Sequence, residues 1–385
     1  MAGNTLTNLI PFLYESLDVV SRELTGFIPG ISFDASAERA ALNQAIEIPV
    51  TEAQAAADVT PGQLPPDTGD QNVIPTSVTI TKSRMIPFRW TGEEQKGLKT
   101  GPGYNNIRRD QITQAMRGLV NEFEADIAIA AAVGASRAYG TPGTTPFAAD
   151  LSDMSALGKI LKDNGAPQSD LQFVMDTTAG MKVRNLTQLT KANEAGTTDM
   201  REQGTLLDIF GFKLRESAGV KKETSVGSAT LATASAATGA TAVTITTGAT
   251  TGAVSLSPGD IVTFAGDTNM YVVQAALTLG ASATGTLYLN KPGLLTTLAS
   301  AAMSVVAAST RNVGFARSAI VGVCRAPALP EEGDMAEDRM TIVDPRTGLA
   351  FEISMYAQYR RVHYEVALAW GAANIKAEHS ALILG

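Results

Sequence analysis

The chain has 385 residues, 30 Lys plus Arg against 38 Asp plus Glu, and 44% hydrophobic residues, which is too long for one ordinary core and fits two or three domains. A net charge of −8 excludes a protein that grips phosphate backbones through many Lys/Arg contacts. Cys324 is the single cysteine, so an internal disulfide and a cysteine zinc site are excluded and a reducing compartment fits.

Residues 6–24 place Leu6, Leu9, Ile10, Leu13, Leu17, Val20 and Leu24 on one helical stripe. Pro11 is tolerated near the start of that helix, and Gly26 and Pro29 close it, so the segment reads as core or as an arm docking on a neighbouring copy. No positive region precedes an apolar run, so no signal peptide is read. Residues 45–90 read as extended. AIEIPV and a loose Ala/Pro/Gly/Asp stretch lead to Val78, Ile80, Lys82, Arg84 and Ile86, alternating with Thr79, Thr81, Ser83 and Met85. Neither face is cleanly apolar, so this ribbon is expected outside the monomer core. A two-stranded ribbon is marginal alone in water and needs another surface to lie on.

Thr91 to Glu94 reads as a capping box. Asn106 to Tyr139 is the strongest helix, with Ile112, Met116, Leu119, Phe123, Ile127, Ala131 and Gly134 on one stripe. It would reach about 45 Å. Its most apolar run, Ile127 to Ala135, is far short of a membrane span. Residues 152–222 alternate as an α/β unit: a helix capped by Ser152, the buried strand LQFVM, a helix from a Thr177 cap through Leu189, a polar loop, and TLLDIFGFKLRES.

Residues 224–310 carry only Asp260, Asp267 and Lys291 as charged side chains. An Ala/Thr/Gly/Ser run turns there into short β-like pieces, between IFGFKLRESAGV and RNVGFARSAIVGV, which is the pattern of a small β-domain inserted into a host. Whether 225–252 is strand or linker stays open. SAIVGVCRA is a further buried strand. RMTIVD, the turn Asp344 to Gly348 and LAFEISMYAQ form a hairpin. RRVHYEVALAW alternates Val362, Tyr364, Val366 and Leu368 against Arg361, His363 and Glu365, and HSALIL closes the chain.

No phosphate loop, dinucleotide fingerprint, GxSxG or HExxH occurs. His363 and His379 read as structural or surface residues, and Cys324 as a core residue. No catalytic, cofactor-binding or metal residue is assigned. The loop Pro330 to Met340 carries Glu331, Glu332, Asp334, Glu337 and Asp338 without the ligand alternation of a calcium loop. It reads as solvated, or as a subunit contact against a basic set such as Arg108, Arg109 and Arg117. The candidate subunit-interface residues are Lys82, Arg84, Arg89, Arg108, Arg109, Glu331, Glu332, Asp334, Asp260, Asp267 and Lys291.

The order of these elements resembles the major capsid (coat) protein of tailed bacteriophages over essentially the whole chain. VTITKSRMIPFRWTGEE is similar to that family's extended loop. GFKLRES and IVDPRTGLAFEISMYAQYRRVHYEVALAWGAANI are similar to its host domains, and SPGDIVTFAG, YVVQ and GTLYLNKPG to an inserted domain. The resemblance implies an α+β chain of the HK97-type capsid fold with an inserted β-barrel-like domain. It implies an N-terminal arm (1–44), an extended loop or β-ribbon (45–92) and a peripheral domain with a spine helix (93–150). Further along it implies an axial domain in two parts (151–222 and 312–340), the inserted β-domain (223–311) and a C-terminal β-segment returning to the peripheral domain (341–385).

By the same resemblance the chain is no enzyme and takes no cofactor. It assembles with itself as hexamers and pentamers into an icosahedral head shell, enclosing double-stranded DNA without specific binding. Assembly is expected in the host bacterial cytoplasm and residence in the virion, with no membrane. Some relatives begin with a cleavable internal scaffold; this chain starts at the arm, which implies a separate scaffolding protein, and a portal protein is a further partner. Some relatives carry Lys–Asn cross-links, but nothing marks a partner for Lys82 and none is expected. Rival readings are a protein compartment shell of the same fold, a soluble α/β hydrolase with a β-insert lid, and a phage decoration protein.

Overall fold

The computed structural model describes residues 25–34, 38–50, 56, 58–59, 61, 74–98, 104–190, 208–224, 226–249, 251–343 and 349–385. The predicted helix over 6–24, most of the ribbon tip, the polar loop after Thr190 and the turn at 344–348 lie outside them.

In chain order the first strands are β1 (Ser32–Asp34), β2 (Arg39–Ala40), β3 (Ala45–Val50), β4 (Ile74–Thr79) and β5 (Lys82–Thr91), followed by helices α1 (Gly92–Leu98) and α2 (Tyr104–Val133). Then come β6 (Arg137–Tyr139), α3 (Ser152–Asp163), β7 (Leu171–Met175), α4 (Thr177–Asn185), α5 (Thr187–Thr190) and β8 (Phe212–Glu216). A run of short strands follows: β9 (Ser228–Thr230), β10 (Ala232–Ala236), β11 (Ala242–Thr247), β12 (Ala253–Leu256), β13 (Ile261–Phe264), β14 (Met270–Val272), β15 (Leu277–Leu279), β16 (Thr284–Tyr288) and β17 (Leu298–Val305). The last are β18 (Arg311–Ala316), β19 (Ile320–Pro327), β20 (Asp338–Val343), β21 (Ala350–Gln358), β22 (Arg361–Asn374) and β23 (Ser380–Leu384).

The predicted stripe of α2 is its buried face: Ile112, Met116, Leu119, Phe123, Ile127 and Ala131 all lie in the main core. The helix ends at Val133 rather than Tyr139. Asn290 donates to the carbonyls of Val133 (2.9 Å) and Ala135 (2.7 Å), and the chain then leaves as β6, paired with β23 and β14. Strand pairing outweighs helix propensity there. The capping box at Thr91 is present, with Thr91 N–H donating to Glu94 (2.8 Å) and Glu94 N–H to the Thr91 hydroxyl (3.3 Å). The next two expected caps shift by one residue. Leu151, without a side-chain cap, precedes α3, and Asp176 rather than Thr177 caps α4. Leu186 adopts an extended backbone and splits the predicted helix through Leu189 in two.

α2 packs against a seven-stranded sheet built from β1, β2, β5 and β19–β22. β22 is its spine. One edge of β22 pairs with β5 from Thr91 to Lys82; the other pairs with β21 and, farther along, with β19. Val362, Tyr364, Val366, Leu368 and Trp370 share the face toward α2, as their alternation predicts, and Trp370 Nε1 donates to Asp126 (2.8 Å). The hairpin of β20 and β21 is present.

The second sheet has eleven strands, and β7, β8, β18 and β23 form the end covered by α3 and α4. This differs from the grouping of 312–340 as one part and 341–385 as another. RNVGFA joins the LQFVM sheet whereas SAIVGVCRA joins the tail sheet, and β23 returns to LQFVM's side.

The stretch from β9 to β17 has its own core, including Val243, Ile245, Phe264, Tyr271 and Leu287. Its strands run β16-β11-β10-β17-β13-β14, and the circuit closes where Val273 bridges Leu289. The chain enters and leaves it side by side, through the Lys222–Thr310 bridge. Residues 226–249 are strand and turn rather than linker. This unit also continues the second sheet, since β14 pairs with β6.

Candidate assembly surfaces

The ribbon of β3 and β4 is rooted in the body. Val78 and Ile80 are fully buried in a small core with Ala40, Val321, Val323 and Ala369. Thr81 N–H donates to the Trp370 carbonyl (3.0 Å), and Ile80 N–H to the Gln44 carbonyl (2.9 Å). A Cβ on Gly371 would overlap the Thr79 carbonyl oxygen, so only glycine lets the ribbon cross β22 this closely. This corrects the expectation that the ribbon lies outside the monomer core. Its root is core, and β5 is zipped to β22. Farther out, Ile46, Ile48 and Val50 remain half-buried on one face, while Glu47, Pro49, Ser77 and Thr79 are exposed on the other.

The candidate interface residues divide into those used within the chain and those on its surface. Lys82 Nζ bonds both Glu122 (2.9 Å) and Asp126 (2.9 Å) on α2. Burial alone would lower its pKa, but these two carboxylates outweigh it and hold the ammonium above its ordinary value. Arg84 reaches Glu122 at 3.5 Å, and Arg108 donates to the Tyr364 hydroxyl at 3.2 Å. Arg109 approaches Asp110 at 3.4 Å. Asp260 is 2% exposed and closes a turn by accepting from Ser257 N–H (2.7 Å) and Gly227 N–H (3.2 Å). Asp267 accepts from the hydroxyls of Tyr271 and Thr296, both at 2.6 Å, and from Asn269. These hydrogen bonds outweigh partial burial and keep its pKa below the usual range. Both acids hold their own unit together; the turn phrase SPGD was the signal for the first.

Asp334 binds Arg339 and accepts from the Tyr356 hydroxyl (2.8 Å), strapping the acidic loop to the outer face of the sheet. Glu331, Glu332, Arg89 and Lys291 are exposed.

Two anchors gave no sequence signal. Glu124, on the buried side of α2, accepts from the N–H groups of Gly26 (2.6 Å), Phe27 (2.7 Å) and Ile28 (3.0 Å) and from the Ser217 hydroxyl (2.6 Å). Arg325 binds Asp34 (2.6 Å) and Glu38 (3.2 Å). Together they fix the segment that follows the N-terminal stretch.

Burial pushes the Cys324 thiol up to about 12, and its Sγ accepts only from Ala350 N–H (3.2 Å). His363 packs 6.0 Å from the Tyr356 ring. His379 lines a cavity of about 740 Å³ with Asn164, Asn290, Lys291, Asn374 and Lys376; burial first, then Lys376, lowers its pKa. Among the described residues no group of three or more His, Cys, Asp or Glu could hold a metal.

No protein-family model matches the chain, and no curated protein matches it. Solved structures do. The capsid structure of the cyanophage P-SCSP1u matches 94% of this chain and 88% of its own, with a TM-score of 0.50 and 11% identity. The chain shares the fold of that cyanophage capsid protein. The mature capsid of bacteriophage PhiM1 matches 94% of this chain and 86% of its own (TM-score 0.48, 11% identity). A virus-like particle from Pyrococcus furiosus matches 97% and 99% (TM-score 0.44, 10% identity).

Proposed function

We propose that this chain is a major capsid protein that assembles with itself into the icosahedral head shell of a tailed phage, enclosing double-stranded DNA. The observation that carries the reading is the fold shared with the cyanophage capsid over 94% of the chain. The chain's own surfaces support it. A ribbon rooted by Gly371 offers one exposed polar face and one half-covered apolar face to a neighbouring copy, and the first described residues are pinned by Glu124 and Arg325. In this reading β9–β17 is a domain inserted between 223 and 311, joined to the host by the β14–β6 pairing. It serves as a folding nucleus or as a contact between capsomers. Stability of the shell then comes from many modest interfaces between copies. The net charge of −8 suits a container wall that does not hold its DNA.

The test is sedimentation of the chain expressed alone and with its candidate scaffolding protein. Particles hundreds of chains in size support the reading. A 40.2 kDa monomer under both conditions contradicts it.

A further inference from the structure

Two of the most exposed large apolar side chains sit at one end of the seven-stranded sheet. Tyr359, 87% exposed, tips the β21–β22 hairpin, and Met335, 90% exposed, tips the acidic loop that leads into β20. The hairpin tip borders a groove of about 600 Å³ between Gln358–Val362 and Thr91–Gln95. Arg360 and Arg361 stand on its rim, Arg89 lies in the adjoining hollow, and Glu93 is the acid that lines it. Arg360 holds a left-handed backbone (φ 56°) while its guanidinium lies 5.6 Å from the Tyr359 ring. Its carbonyl accepts from Gly92 N–H (3.1 Å), so α1 and the tip form one fixed wall. The loop around Met335 carries the opposite charge, in Glu331, Glu332 and Glu337, all exposed.

The chain's own loop leaves the groove open, since Met335 and Tyr359 both stay exposed. The loop is strapped by Asp334 to Arg339 and Tyr356, on β20 and β21. The groove lies between the hairpin tip and the start of α1. We infer that the acidic loop of a second copy docks here, with its Met335 against Tyr359 and its Glu331 and Glu332 facing Arg360 and Arg361. The inference rests on the shell reading and gives it a specific contact. Because loop and groove are different surfaces, the contact is heterologous, and a rotational arrangement of copies closes it into a ring. The apolar knob supplies burial, and the charges set partner and register.

The test uses the full chain with Met335→Cys and Tyr359→Cys together, purified as particles, oxidised and run on a non-reducing gel. Bridges between copies are expected to give a ladder of cross-linked chains that collapses on reduction, whereas bridges within one chain would run as monomer; each single variant gives no ladder, and Cys324, buried, stays silent. In parallel, Arg360→Glu with Arg361→Glu is expected to lower particle yield at least tenfold at unchanged circular dichroism. Adding Glu331→Arg and Glu332→Arg should restore the yield. Particles that form normally, give no ladder and ignore the arginine changes overturn the docking while leaving the shell reading intact. A wild-type chain that never forms particles sinks both.

Discussion

Glu124→Gln is the substitution that most directly tests how the body of the chain is held together. The carboxylate is 2% exposed and accepts four hydrogen bonds, three of them from consecutive backbone N–H groups of the 26–28 turn. Glutamine can keep an oxygen at the Oε1 position, where Gly26, Phe27 and Ser217 donate. Its amide group then faces Ile28 N–H, donor against donor. Removing the charge takes each remaining bond from about 1.5–3 to about 0.5–1.5 kcal/mol, and the orphaned N–H costs about 1–3 kcal/mol. These add to about 4–7 kcal/mol, and the burial cost that a neutral amide escapes brings the expected loss to about 3–5 kcal/mol. Urea unfolding of the unassembled chain, followed by tryptophan fluorescence, should show a midpoint lowered by roughly 1–3 M with an unchanged slope. A double-mutant cycle with Ser217→Ala should give a coupling above about 0.5 kcal/mol, because the two side chains touch. A loss below about 1 kcal/mol, or strict additivity, would refute the reasoning.

Gly371→Ala forces a methyl group onto the Thr79 carbonyl and should cost at least about 2 kcal/mol while loosening the ribbon root; near-wild-type melting together with unchanged proteolysis around Thr81 would contradict this. Cys324 should resist thiol reagents until the chain unfolds, given its raised pKa and full burial; labelling of the native chain at the rate of free cysteine would be the opposite result. His379 has its folded pKa below the unfolded value of about 6.5. The unfolded chain therefore takes up the proton first, and stability present above that value is lost as pH falls through the folded pKa. Wild type should lose more stability than His379→Gln between about pH 7.5 and 5.5, and parallel curves would remove the effect. Deleting 224–310 and joining Glu223 to Arg311 should give a folded but less stable chain that forms few normal shells, since β6 loses its β14 partner; shells at normal yield and size would show the unit to be dispensable.

The parts of the fold visible in the sequence are those whose period is long or whose turn is marked. The stripe from Ile112 to Ala131 and the alternation from Val362 to Leu368 each name a buried face, and both are buried where expected. The ends of the charge-poor stretch lie side by side at the Lys222–Thr310 bridge. Sheet membership is not visible. RNVGFA and SAIVGVCRA are adjacent short apolar strands, and nothing local tells which sheet each will join. Charge misleads in the same way. Asp260 and Asp267 stand out in a neutral stretch because they are internal clamps, while Glu124 lies unmarked among the many charges of α2. Of the candidate surface, Glu331 and Glu332 remain exposed, whereas Lys82 is occupied by α2. The groove beside Tyr359 depends on α1 meeting a hairpin more than 250 residues away and has no sequence signature.

The most direct measurement is electron microscopy of the chain produced with and without its candidate scaffolding protein, carried to a reconstruction. The account expects uniform closed shells built of hexamers and pentamers, with the β3–β4 ribbon of each copy lying on a neighbour. Monomers or small oligomers under both conditions, or shells in which each ribbon touches only its own chain, would contradict it.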